Sequence, residues 1–156
     1  GDVDSGNQAS IPDKLLKEWV KNEDVEWWGH SNDMPLSLSK ANIVVLPSYR
    51  EGLPKVLVEA AASSRALIAT NIPGCRDVVE QCQNGLLVTP KDSIELARAI
   101  GQLLNNQDLR KRFAKRGREI ALSRFSQEIV IDKMLDIYNT LLGKDVSSDN
   151  KTKYQD

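Results

Sequence analysis

Two cysteines and one histidine are all that the 156 residues hold of thiol and imidazole metal ligands. Cys75 and Cys82 have six residues between them. So sparse a set indicates no metal site, and it reads as two reduced thiols in a cytosolic protein. Aromatic residues make up 5% of the chain, which leaves little to stack on bases, so a nucleic-acid platform is excluded. No apolar run approaches the ~18 residues of a membrane span, and no signal-peptide pattern opens the chain. Neither sign of charge prevails, with 21 Lys and Arg against 22 Asp and Glu. Methionine is late: the first residue is Gly1 and the first methionine is Met34. The chain is therefore expected to be a piece excised from a longer one, truncated at its N-terminus.

What is present is 40% hydrophobic, enough for one domain with a real core. Short apolar runs alternate with longer amphipathic ones. Val25–Trp28, Ile43–Leu46, Ala66–Thr70 and Gly85–Val88 (with Thr89) read as strands, the last entered through the turn pair Asn84-Gly85. Helical patterns cover Pro12–Asn22, Met34–Ala41, Pro54–Ser63 and Gly74–Gln81. Three more follow without an intervening strand, at about Ser93–Asn105, Asp108–Ser123 and Gln127–Leu142, with Asp108 and Ser126 as N-caps. Alternation of this kind predicts an α/β fold, a Rossmann-like parallel sheet with helices on both faces. The strands are continuously apolar, as befits strands covered on both sides. Residues 1–143 read as this domain and 144–156, polar and rich in Ser, Asp and Lys, as a disordered tail.

Ligands of such sheets bind outside the carboxyl ends of the strands. Four segments qualify: Gly29–Asp33, Pro47–Leu53, Asn71–Cys75 and Thr89–Asp92. The second lies in VLPSYREGLPKVLVEAAA, residues 45–62, where Glu51 and Glu59 stand eight positions apart. Pro47–Leu53 runs into a helix N-terminus, whose free N–H groups and positive dipole end suit an anion. Gly52 permits close approach to the backbone. Glu51 would repel a phosphate there, so it makes sense as an acceptor for hydroxyls near one. Glu59 comes about 7.5 Å further along the helix axis. A nucleotide sugar, with hydroxyls on either side of a diphosphate, has that form. Spacing alone leaves the alternative open that Lys55, Glu59 and Ser63 form a polar surface stripe with an ordinary Lys55–Glu59 pair.

Pro47-Ser48-x-x-Glu51-Gly52 followed by Glu59-Ala60 resembles the E-x7-E region of retaining glycosyltransferases of family 4, the group 1 transferases built from two facing Rossmann-like domains. Further family-like pieces come in order: Val25–Gly29, Ala41–Ser48, Pro73–Val79, Asn84–Val88 and Arg124-Phe125-Ser126. The likeness runs from about Gly1 to Leu142, and it implies the C-terminal, donor-binding half of a GT-B architecture. By the resemblance, Glu51 contacts hydroxyls of the donor hexose and is the residue most bound up with catalysis, though not a nucleophile. Glu59 accepts from the ribose hydroxyls. The backbone of Gly52 and Leu53 faces hexose and diphosphate. Gly29, His30 and Ser31 lie near the base. Two departures stand out: Pro54 occupies a position where many members have glycine, and Ser64 replaces the glycine usual after this helix. The acceptor domain and an early basic pair of the family precede the point where this chain begins.

The resemblance implies transfer of a hexosyl or N-acetylhexosaminyl group from a nucleotide sugar, UDP favoured, without a metal. The acceptor would be a saccharide or lipid-linked, and the setting bacterial surface polysaccharide or glycolipid synthesis. The expected location is the cytoplasm, with the inner membrane face as a peripheral site. The piece by itself is expected to be inactive. Two alternatives stand beside this reading: a non-catalytic nucleotide-sugar-binding module, and a nucleotide-sugar epimerase of the same architecture. The basic stretch Arg110–Arg124 reads either as a contact with an anionic membrane or as a solvated face.

Overall fold

The computed structural model describes residues 10–142, so the tail expected at 144–156 lies outside the described residues. They divide into two compact units, one through Lys40 and one from Ala41 onward. The first contains α1 (Asp13–Lys21) and α2 (Met34–Ser39). Asp33 caps α2, its side chain accepting from the Leu36 N–H at 2.8 Å. Between the two helices, Val25–Trp28 is not a strand. A strand needs a ladder partner more than it needs apolar residues, and none pairs with this segment among the described residues. Trp28 takes its contacts within the first unit. Trp28 Nε1 donates to the Glu26 carboxylate at 2.9 Å, and Lys40 lies 5.3 Å from the Trp28 ring centre. The strand expected here is not formed.

The second unit holds β1 (Ile43–Leu46), α3 (Lys55–Ala62), β2 (Ala66–Thr70), α4 (Pro73–Arg76), β3 (Gly85–Val88), α5 (Ser93–Leu104), α6 (Gln107–Phe125) and α7 (Gln127–Leu141). The strands form one parallel sheet in the order β1-β2-β3, with Ile43 opposite Ala66 and Leu67 opposite Gly85. All of β2 is buried. Ala66 and Ile68 join Leu86, Val88, Ala99, Leu103 and Phe113 in the core on one face. Leu67 and Ala69 point the other way by the two-residue period and are equally buried, so that face is covered too. The continuously apolar run of β2 has this cause.

Helix boundaries follow local chemistry, with three corrections. Asn106, rather than Asp108, caps α6, accepting from the Leu109 N–H at 2.9 Å. The helix expected over Gly74–Gln81 is a single turn, Pro73–Arg76. Pro54 stands at the N-cap of α3 rather than inside it. Ser126 does cap α7. Asn84 is buried, donating to the Val78 carbonyl at 2.9 Å and accepting from the Glu80 N–H at 2.7 Å. Together with Gly85, whose added Cβ would lie 2.5 Å from the Leu67 carbonyl oxygen, it is architecture at the amino end of β3.

Candidate functional site

Of the four segments expected at the carboxyl ends of strands, three are there: 47–53 after β1, 71–75 after β2 and 89–92 after β3. Gly29–Asp33 follows no strand and belongs to the other unit.

The β1 connection carries Glu51, which is half-buried. Ser48 Oγ donates to Glu51 Oε1 at 2.7 Å. Gly52 and Leu53 are exposed. A Cβ at Gly52 would meet nothing within 4 Å, and its φ is not positive, so neither packing nor conformation within this chain demands glycine there. The intrahelical ladder of α3 begins with Leu57 and Val58 donating to the Pro54 carbonyl. The N–H groups of Lys55 and Val56 precede it, as at any helix start. Glu59 is exposed on α3. Among the described residues no ion pair joins it to Lys55, so the ordinary surface pair that spacing allowed is not formed.

The β2 connection lies against this loop. Thr70, buried at the end of β2, donates through Oγ1 to the Ser48 carbonyl. Gly74 is closer still: a Cβ on it would stand 1.9 Å from the Gly52 carbonyl oxygen and 2.6 Å from that of Glu51. No real Cβ tolerates such distances, so this position must be glycine if the two turns are to touch. Cys75, the next residue, is fully buried. Burial pushes its thiol up from the ordinary value; a hydrogen bond with Thr70 works against the rise and the Glu51 carboxylate adds to it.

From β3 the loop supplies Lys91, whose Nζ lies 5.6 Å from the Tyr49 ring centre. A cavity of about 160 Å³ opens among Pro47, Tyr49, Thr70, Thr89, Lys91 and Asp92, at the carboxyl ends of all three strands.

Gly29, His30 and Ser31 sit together on the first unit. Gly29 has a φ of 65°, which favours glycine. His30 is exposed, with Nε2 3.1 Å from Asn32 Oδ1. Ser31 Oγ bonds Ser37 Oγ at 2.7 Å and the Asp33 carbonyl at 3.0 Å, so its hydroxyl already serves the start of α2.

Sequence reasoning assigned no role to Ser48, Thr70 or Gly74. A hydroxyl closing an otherwise apolar strand and a Pro-Gly pair after two further residues were the available signals. Neither names its partner.

The family described as glycosyl transferases group 1 matches residues 3–120. Among curated proteins, the chain is 30% identical over 142 residues to the capsular polysaccharide biosynthesis glycosyltransferase CapM of Staphylococcus aureus, covering 91% of this chain and 37% of that protein. It is 28% identical over 137 residues to the N,N'-diacetylbacillosaminyl-diphospho-undecaprenol alpha-1,3-N-acetylgalactosaminyltransferase of Campylobacter jejuni, covering 88% of this chain and 36% of that one. Among solved structures, Anabaena HepE in complex with UDP superposes with a TM-score of 0.73 at 26% identity, over 83% of this chain and 36% of that chain. The chain thus spans a little over a third of the length of these proteins.

Proposed function

The chain belongs to the group 1 glycosyltransferases, and from that premise we propose that it is the donor-binding half of a retaining, nucleotide-sugar-dependent glycosyltransferase. The donor is a UDP-hexose or UDP-N-acetylhexosamine. In this reading Glu51 accepts hydrogen bonds from hexose hydroxyls and Glu59 from ribose hydroxyls. The exposed backbone of Gly52 and Leu53, with the first N–H groups of α3, faces the diphosphate. A role of Gly29, His30 and Ser31 at the base rests on the family resemblance alone, and Ser31 already serves its own turn.

The observation that carries the reading is the Glu51 loop. A half-buried carboxylate is held by Ser48 at the carboxyl end of β1, directly ahead of a helix N-terminus, beside a glycine that no internal contact requires. A ligand's approach supplies the missing reason for Gly52. The solved relative bound to UDP and the two carbohydrate-transferring relatives support the donor class.

Rate acceleration then comes from holding diphosphate and sugar in place and from stabilising charge on the departing diphosphate. A lipid-linked or saccharide acceptor meets the sugar from a further domain. Work in surface polysaccharide synthesis fits the named relatives, and the cytoplasmic face of the membrane is the proposed location. Among the described residues no helix is long and apolar enough to cross a membrane.

A binding screen of UDP-, GDP- and ADP-sugars against the full-length protein tests this. Binding of at least one UDP-sugar is expected; no binding by any of the three classes would overturn the proposal.

A further inference from the structure

The loop that carries Glu51 is fastened from β2 in two ways. Thr70 Oγ1 holds the carbonyl of Ser48, and the side chain of the same Ser48 holds one oxygen of Glu51. Beneath them, Gly74 lets the β2–α4 turn bear directly on the carbonyls of Glu51 and Gly52. β2 is the fully buried central strand, so this fastening ties a half-exposed carboxylate to the core of the sheet. Among the described residues Glu51 Oε1 has a partner and Oε2 has none.

The geometry points to Ser48, Thr70 and Gly74 as positioning residues that aim Oε2 of Glu51 at the sugar. The inference rests on the proposed donor-binding role of Glu51. It goes beyond it by naming which oxygen serves the ligand and what holds it. Each part has a distinct task. Thr70 sets the path of the backbone at Ser48. Ser48 fixes the rotation of the carboxylate by donating to one oxygen. Gly74 sets the height of the loop, which any side chain there would lift.

Because Glu51 faces the hexose and not the nucleotide, loosening it should change sugar recognition while sparing UDP. The discriminating quantity is the ratio of affinities for a UDP-sugar and for UDP. A general loss of structure lowers both together. The experiment takes the full-length protein and, from UDP-glucose, UDP-galactose and their N-acetyl forms, the donor that the wild type binds most tightly. Calorimetry then gives its affinity and that of UDP for Ser48→Ala, Ser48→Thr, Thr70→Val and Glu51→Gln.

Ser48→Ala should weaken the UDP-sugar about tenfold, the effect of losing a charge-assisted hydrogen bond, with UDP within about twofold. Ser48→Thr, which keeps the hydroxyl, should restore most of it. Thr70→Val should act in the same direction. Gly74→Ala is expected to fail by folding or by losing both ligands, so the serine pair carries the decision. If Glu51→Gln changes the ratio and Ser48→Ala does not, the positioning role is overturned and the role of Glu51 survives. If Glu51→Gln leaves the ratio unchanged, the donor role of Glu51 is overturned, and this inference falls with it.

Discussion

Ser64 shows how a single departure from a pattern becomes a measurable strain. It follows α3 with a φ of 56°, the left-handed region that glycine occupies freely. Its N–H reaches the Ala61 carbonyl and that of Arg65 the Ala60 carbonyl, each at 2.9 Å, the paired bonds of a Schellman ending. The position was legible through the resemblance, because the family usually carries glycine there. Ser64→Gly should stabilise the protein by up to about 1 kcal/mol, raising the Tm of a chain this size by roughly 2–4 °C in a calorimetric scan. The two thiols offer a second test. Cys75 is buried and its pKa is raised, so at pH 8 it stays protonated and shielded, whereas Cys82 is exposed. Iodoacetamide should label Cys82 in the native protein and reach Cys75 only after denaturation, as peptide mass mapping would report. Ser48 was less legible. Its hydroxyl could be read as a loop residue, a cap or a ligand contact, and only the folded loop shows that its partner is Glu51, three residues on.

At the level of elements, the basic stretch of α6 receives a structural explanation for most of its charges. The Arg110 guanidinium donates to the carbonyl of Leu104 at 2.6 Å and to that of Leu103, closing the end of α5. Arg118 donates to the Ala62 carbonyl at the end of α3. Arg116 pairs with Glu119 at 3.2 Å and Arg124 with Glu80 at 2.5 Å. The last carbonyls of a helix lack intrahelical partners and carry the negative end of its dipole, so cations belong there. This favours the reading without a membrane for these arginines. Arg110→Ala should cost about 1 kcal/mol in urea unfolding, and Lys111→Ala, which has no such carbonyl to serve, under about 0.5. Equal effects would mean that the capping contacts contribute nothing. The sheet was legible because strands covered on both faces are apolar throughout. Val25–Trp28 misled for the same reason: its residues have strand propensity, but pairing is decided by a neighbour that a local pattern does not contain. Asn106 and Asp108 are comparable caps, and two residues of ambiguity at a helix start lies within what such chemistry can resolve.

For the whole molecule, the parallel sheet was legible, since strands that alternate with helices imply it. The contact between the β1 and β2 connections was not, since it joins residues more than twenty apart through a glycine and a hydroxyl. The chain spans a little over a third of the proteins it resembles, so transfer should need what the chain lacks. Incubated alone with UDP-sugars and lipid-linked or saccharide acceptors, it is expected to release no UDP above the hydrolytic background. Turnover by this chain would refute that. The central claim, that α3 and the loop ahead of it bind a nucleotide sugar, is tested most directly at Glu59. Its carboxylate is exposed and forms no ion pair among the described residues, so Glu59→Gln should leave the Tm nearly unchanged. If the carboxylate accepts from two ribose hydroxyls, the amide keeps one acceptor and adds a donor that finds no match. Nucleotide affinity of the full-length protein should then fall roughly ten- to a hundredfold by calorimetry. Affinities for UDP, GDP and ADP equal to those of the wild type would contradict the account and return Glu59 to an ordinary surface charge.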